Sequence, residues 1–172
     1  MGISASKRVK SSLSNSPEFD SACDSTFSHC LSLTQHAFPG VFPHQLSAAS
    51  DHLYRTVTAD RPHPIVLKWV SSPPTRSQVD SALRVVTRRR PNEASGSDDQ
   101  TLGPAQFREW AVELFASAIV SSASKAVICR VPIGVAGIAG VGVVTRSGKD
   151  LVGTAIGLYA LGVATAVYLS LS

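Results

Sequence analysis

The clearest chemical signal in the sequence is a lipidation motif at its first residues. Met1-Gly2-Ile3-Ser4-Ala5-Ser6 matches the pattern M-G-x-x-x-[ST], in which Gly2 becomes the N-terminal residue once Met1 is removed. The chemistry requires glycine at this position because its unhindered α-amine is the atom that receives the acyl chain. The pattern therefore predicts N-myristoylation of Gly2, although short Met-Gly openings also arise by chance.

Basic residues directly after this motif predict contact with an anionic membrane. One myristoyl chain holds a protein on a bilayer only marginally, so stable anchoring needs a second signal. Lys7, Arg8 and Lys10 would supply part of that signal, at about 1 kcal/mol for each basic side chain near an anionic leaflet. A second basic cluster consists of Arg88, Arg89 and Arg90. It would either contact the same membrane surface or form a solvated helix end that the helix dipole favours.

Motifs for nucleotide, metal and hydrolytic chemistry all fail on their spacing. Residues 142–150, GVVTRSGKD, resemble a phosphate loop, but five residues separate the glycines instead of four, and Asp150 replaces the Ser or Thr that would hold magnesium. No serine has the surroundings of a hydrolase nucleophile. We expect no enzymatic activity, no cofactor, no metal and no nucleic-acid partner. Four residues that could bind zinc lack the required ligand spacing: Cys23, His29, Cys30 and His36.

The composition fits one small helical domain followed by an apolar segment. The chain has 172 residues, of which 44% are hydrophobic and only 6% aromatic. Residues 1–90 carry 11 Lys and Arg against 6 Asp and Glu, a net charge of +5, whereas residues 91–172 carry 5 against 6, a net charge of −1. Three cysteines and a polar, basic start argue against a disulfide scaffold and a secretory signal, and they favour the cytosolic face.

The spacing of apolar residues divides the first ninety residues into an arm and a domain. Residues 1–15 are rich in serine and show no apolar period, which predicts a flexible, basic, acylated arm. Ser16, Pro17 and Glu18 then form a helix start, with a capping hydroxyl, a proline at the first helical position and an acidic first turn. Apolar residues at steps of three and four predict three or four short helices over 16–90, packed as a small bundle.

A polar stretch separates this domain from the rest of the chain. Residues 91–104 contain Pro, Gly, Ser and acidic residues and are interpreted as a linker. A long amphipathic helix is predicted over 105–125, because apolar residues such as Phe107, Trp110 and Leu114 share one side of it. The sequence therefore predicts an all-α fold.

Two apolar stretches after this helix predict membrane spans. Residues 151–171 carry no charge and would form a helix about 31 Å long, which matches the hydrocarbon thickness of a bilayer. Residues 131–144 form a second stretch, which extends back to 126 if Arg130 reaches the membrane surface. Glycines at helical spacing predict close helix packing in lipid: Gly134, Gly137, Gly140, Gly153 and Gly157.

These spans are compatible with two topologies over 126–172, a hairpin or a tail anchor. A hairpin places Arg146 and Lys149 on the side away from the cytosol, against the positive-inside tendency. A tail anchor, in which only 151–171 crosses, keeps both residues cytosolic. We favour the hairpin, because the glycine-rich stretch is difficult to bury in so small a soluble core. Cys129, at the membrane edge, is either a palmitoylation site or an inert apolar thiol.

The opening MGISASKRVK and the stretch SPEFDSACDSTFSHCLSLTQHAFPG resemble small N-myristoylated membrane proteins of plants that have no assigned activity. The resemblance covers the first quarter of the chain and implies no catalytic residues. Our leading hypothesis is a non-enzymatic adaptor or scaffold with an unidentified protein partner, held on the cytosolic face of the plasma membrane or an organelle outer membrane. The alternatives are a glycine-rich homo-oligomer that forms a pore or shapes membranes, and a soluble protein whose apolar end is a buried helix pair.

Overall fold

The computed structural model describes residues 2–60, 62–89, 101–144 and 149–171, and these residues are predominantly helical. The all-α prediction is confirmed, since the described residues contain no β-strand. Their β-type backbone pairing is limited to an isolated bridge between Val41 and Leu102. A 3₁₀ turn, Pro43–Gln45, and a π turn, Thr56–Asp60, flank the third helix. Seven α-helices lie in the described ranges: α1 (Gly2–Ser14), α2 (Pro17–Leu33), α3 (Leu46–Arg55), α4 (Pro64–Trp69), α5 (Arg76–Arg89), α6 (Pro104–Val144) and α7 (Lys149–Leu169).

The chain divides into two compact units, and the division differs from the boundary that the sequence predicts. Unit 1 is Met1–Val120 and unit 2 is Ser121–Ser172, so the division falls within α6. Most of the predicted linker, residues 91–100, lies outside the described residues. The first half of α6 belongs to unit 1 because its wide apolar face is buried there. The composition of the linker does not indicate on which side of the boundary this helix packs.

The N-terminal segment is a helix in the structure, not the flexible arm expected from the sequence. Ala5, Val9 and Leu13 are spaced four residues apart along one face of α1, and all three are buried. Such a short, serine-rich helix is marginal in water, and burial of this face stabilises it. Three apolar residues among polar ones were too weak a signal to predict it.

The start of α2 follows the predicted capping chemistry, and a related contact precedes α5. The backbone N–H of Phe19 donates to Ser16 Oγ at 3.2 Å, and Pro17 occupies the first helical position of α2. The backbone N–H of Thr75 donates to Gln78 Oε1 at 2.8 Å, directly before α5 begins. Each bond satisfies a backbone or side-chain group that a helix start would otherwise leave without a partner.

The first half of α6 forms the centre of the unit 1 core. Trp110 and Phe115 are fully buried. The indole Nε1–H of Trp110 donates to the carbonyl of Val79 on α5 at 3.4 Å, and Phe115 packs edge-on against Phe19 of α2 with ring centroids 5.7 Å apart. The predicted apolar side of this helix is therefore confirmed as a buried face. The other members of that face with almost no exposed surface are Phe107, Ala111, Leu114 and Ile119.

Candidate membrane-attachment site

Unit 2 exposes large apolar side chains over most of its length. Ile133 on α6 is 75% exposed, and Leu151 and Leu158 on α7 are 71% and 66% exposed. By length and composition, two helical segments could cross a membrane: Pro104–Ala139 and Leu151–Leu169. The most apolar stretch of the first segment is 39% buried, and that of the second segment is only 6% buried. The apolar surface of α7 is therefore largely available to lipid.

The helical lengths in unit 2 fit a bilayer. Residues 121–144 of α6 extend for about 36 Å, and α7 extends for about 31 Å, against a hydrocarbon core of about 30 Å. α6 also contains Pro132 in its interior, where proline removes a backbone hydrogen bond. Membrane helices contain proline and glycine more often than soluble helices do. Length, apolar exposure and internal proline therefore all agree with membrane insertion.

Among the predicted packing glycines, one lies in a tight contact between α6 and α7. A Cβ built on Gly134 would overlap Cε1, Cζ and Oη of Tyr159. A Cβ on Gly137, Gly153 or Gly157 would meet nothing within 4 Å. Gly134 thus allows the tyrosine ring to lie against the backbone of α6, whereas Gly153 and Gly157, which are spaced four residues apart on α7, face open space. Gly140 belongs to α6, but its surroundings lie outside the described residues.

Two of the predicted membrane-surface basic residues meet at one carboxylate in unit 1. Lys10 Nζ lies 2.8 Å from Glu113 Oε2, and Arg89 Nη2 lies 3.2 Å from the same oxygen. Arg89 Nη1 also lies 3.3 Å from Glu109 Oε1. The side chains of Lys10 and Glu113 are only 26% and 14% exposed. This cluster of Lys10, Arg89 and Glu113, which we call the Glu113 cluster, connects α1 and α5 to α6.

The other predicted attachment residues have different surroundings. Gly2 is the first residue of α1, Lys7 lies exposed on this helix, and Arg8 is half-buried. Arg88 is exposed at the end of α5, and Arg90 lies outside the described residues. Cys129, on the unit 2 part of α6, is exposed, as a palmitoylation site requires.

Sequence reasoning missed the role of Glu113 and of Arg108. Arg108 forms an ion pair with Asp20 of α2 and donates from Nη2 to the carbonyl oxygen of Ser14 at 3.3 Å. Together with the Glu113 cluster, these contacts hold the end of α1 and the start of α2 against α6. Their only sequence signal is that both residues border the apolar face of α6, which does not identify partners a hundred residues away.

Protein-family models, curated proteins and solved structures contain no match to this chain. The resemblance of the first quarter to acylated plant proteins therefore stays a prediction.

Three of the four residues that could suggest a metal centre, Cys23, His29 and Cys30, lie on α2, and His36 is exposed in the turn after it. The rings of His29 and His52 stack with centroids 4.3 Å apart, and Thr26 Oγ1 lies 3.2 Å from His52 Nδ1. Burial, together with the neighbouring His29, lowers the pKa of His52. Burial raises the pKa of Cys23 to about 12 and also raises that of Cys30. Within the described ranges, no three His, Cys, Asp or Glu side chains form a group that could hold a metal ion.

A further histidine lies in the interior of unit 1. His63 precedes α4 and is buried, with its ring edge-on to Phe19 at a centroid distance of 6.3 Å. Its Nδ1 has no hydrogen-bond partner among the described residues. Burial lowers the pKa of His63, while the nearby Glu18 carboxylate acts in the opposite direction. The neutral imidazole is therefore the form that the fold favours.

Proposed function

We propose that the protein is a non-enzymatic, membrane-anchored adaptor or scaffold. Unit 1 is the cytosolic module, and two attachments tether it: the acyl chain on Gly2 and the apolar helices of unit 2. The single observation that carries the proposal is the exposed apolar surface of α7, of which only 6% of the most apolar stretch is buried. A helix with an exposed apolar surface over the 19 residues Leu151–Leu169 would cause the protein to associate with itself in water, whereas a bilayer covers this surface favourably.

The two attachments have different roles in this proposal. Helices of this length and composition anchor stably, while one myristoyl chain binds only marginally and reversibly. The acyl chain on Gly2 therefore adds position or choice of membrane rather than basic anchoring. Palmitoylation of Cys129 would add a further attachment beside the spans, and acyl-exchange labelling of the full chain against Cys129→Ser tests for it.

Fractionation with imaging tests this division of roles. The full chain, Gly2→Ala and a chain ending at Val120 should be compared in the same cells. We expect Gly2→Ala to stay in the membrane fraction but change its distribution, and the chain ending at Val120 to become soluble or loosely bound. Release of Gly2→Ala into the soluble fraction, with retention of the shortened chain, would contradict the proposal.

Membrane topology needs a separate test, because the hairpin and the tail anchor both expose α7 to lipid. An Asn-x-Ser acceptor site appended after Ser172 reports whether the C-terminus reaches a glycosylating lumen. The hairpin predicts no modification there and modification of an acceptor inserted between 144 and 149. The tail anchor predicts the reverse, so the two acceptor sites together decide between the topologies.

Open space beside Gly153 and Gly157 favours a second candidate function, a homo-oligomer that forms a pore or shapes the membrane. Small residues at this spacing let helices approach closely in lipid. Cross-linking in mild detergent tests it, with Gly157→Leu as the variant and Ala155→Leu as a control on the same exposed helix. A ring of many copies that only Gly157→Leu disrupts supports this candidate, and monomers or dimers throughout favour the adaptor.

A further inference from the structure

Lys10 cannot contact Glu113 and the lipid surface at the same time. The sequence predicts that this side chain contacts anionic lipid, yet its Nζ lies 2.8 Å from Glu113 Oε2 and 2.9 Å from Glu113 Oε1. The apolar face of α1, with Val9 and Leu13 fully buried, is likewise committed to unit 1. An ammonium group that neutralises Glu113 cannot also lie among lipid phosphates. A buried helix face cannot also insert into a bilayer.

We propose that α1 is a lipid-responsive latch. Without anionic lipid it docks on unit 1 through its apolar face and through the contact between Lys10 and Glu113. When Gly2 is acylated and the membrane is anionic, α1 leaves this site and binds the lipid surface. The inference rests on the proposed function and deepens it, because it names the lipid class that controls the position of α1.

The arrangement of the Glu113 cluster makes this exchange feasible. A carboxylate with a side chain only 14% exposed would be strongly destabilised if its one cation left. Glu113 avoids this because Arg89 Nη2 lies 3.2 Å from the oxygen that Lys10 also contacts. Arg89 remains on α5 after Lys10 departs, so the carboxylate stays neutralised in both states.

The competing attractions are of comparable size. The docked contact includes three small or medium-sized apolar side chains, one partly solvated ion pair and the hydrogen bond from Arg108 to the carbonyl oxygen of Ser14. The basic residues of α1 would gain affinity for an anionic leaflet, and the acyl chain adds its own marginal affinity. Neither state dominates by a wide margin, which is the requirement for a switch that lipid composition can operate.

The test measures the distance between α1 and α5 in the full chain. Spin labels are placed at Ser11→Cys and Ser81→Cys, which are both exposed, with Cys129→Ser to avoid a third label. Acylated and unacylated protein is reconstituted into nanodiscs of phosphatidylcholine, with or without phosphatidylserine. We expect one docked distance in phosphatidylcholine, and a second, longer population when acylated protein meets phosphatidylserine.

Two variants with opposite expected effects separate a latch from general loosening. Glu113→Gln removes the docking partner of Lys10 and should raise the ratio of released to docked α1 about tenfold in anionic discs. Arg89→Gln leaves Lys10 as the remaining cation at Glu113 in the Glu113 cluster. Release of Lys10 then leaves Glu113 without this cation, so the ratio of released to docked α1 should fall. Glu109→Gln, which changes the same charge one turn away, is the control and should change the ratio far less than Glu113→Gln.

A single docked distance in every lipid for both wild type and Glu113→Gln would overturn the proposal. A shift of Glu113→Gln and Arg89→Gln in the same direction would overturn it as well, because that is the result of simple destabilisation. Co-elution with the discs tests the proposed membrane anchor separately. A chain that stays outside the discs contradicts the proposed anchor, and the same labels then measure α1 release on vesicles of the same lipids.

Discussion

Gly134 of α6 lies directly against the ring of Tyr159 of α7 in unit 2. The absence of a side chain on Gly134 lets the aromatic ring occupy the space that a Cβ would fill. No comparable contact is found at Gly137, Gly153 or Gly157, where the space beyond the backbone is open. Among these four glycines, the close approach of α6 and α7 therefore depends on Gly134.

Substitution of Gly134 should weaken the pairing of α6 and α7, whereas substitution of Gly137 should not. Overfilling a tight contact costs about 1–3 kcal/mol. We expect Gly134→Ala to lower stability by this amount, and Gly137→Ala to change it by less than about 0.5 kcal/mol. Unfolding of the full chain in mixed dodecyl maltoside and SDS micelles, followed by circular dichroism, measures the difference.

A double-mutant cycle assigns the effect to the ring. Removing the ring with Tyr159→Ala should largely cancel the additional cost of Gly134→Ala, since the new methyl group then has room. Additive effects of the two substitutions would show that Gly134 does not act through Tyr159.

The position of a truncation should decide whether unit 1 folds. A chain ending at Val120 retains the first half of α6, and should unfold cooperatively in urea. A chain ending at Gln100 loses the buried side chains of α6, among them Trp110 and Phe115, and should lose its cooperative transition. The loss of one buried aromatic side chain alone costs about 3–5 kcal/mol. Equal stability of the two chains would contradict the assignment of α6 to the unit 1 core.

Unit 1 should become less stable in mild acid. Burial lowers the pKa of His52 and of His63 from the model-compound value of 6.5, so the unfolded chain takes up protons first as the pH falls. The stability present above pH 6.5 is then lost progressively below it, until the folded pKa is reached. Asp60 opposes the shift at His52 and Glu18 opposes it at His63, which reduces the effect without reversing its sign.

Urea unfolding of the chain ending at Val120, at several pH values between about 7.5 and 5, measures this dependence. His63→Phe should flatten the pH dependence, because the replacement stays neutral and apolar at a buried position. His44→Gln, at an exposed position, is the control and should leave the slope unchanged. A stability that rises toward pH 5 would contradict the lowered pKa values of His52 and His63.

Two of the three thiols should be unreactive in the native protein. Cys23 and Cys30 are buried, and burial raises the pKa of both, so little thiolate is available near neutral pH. In Cys129→Ser we expect negligible maleimide labelling before denaturation and two labelled thiols after it, counted by mass spectrometry. Rapid native labelling of this variant would show that α2 is not packed as described.

The sequence predicted local features well and long-range partners poorly. The start of α2 and the buried face of α6 follow from capping residues and apolar spacing, which act within a few residues. The contact between Lys10 and Glu113 joins residues 103 positions apart, and nothing near either residue indicates the other. For the same reason, spacing alone could not distinguish Gly134, which lies against Tyr159, from Gly153, which faces open space.

Alkaline carbonate extraction is the most direct test of whether unit 2 lies in the lipid bilayer. Membranes containing the full chain or Gly2→Ala are washed at high pH and separated by centrifugation, with the chain ending at Val120 as the control. If unit 2 is inserted, both the full chain and Gly2→Ala stay in the pellet and the shortened chain is released. Release of the full-length chain would contradict it, and would indicate that α6 and α7 are covered by protein rather than by lipid.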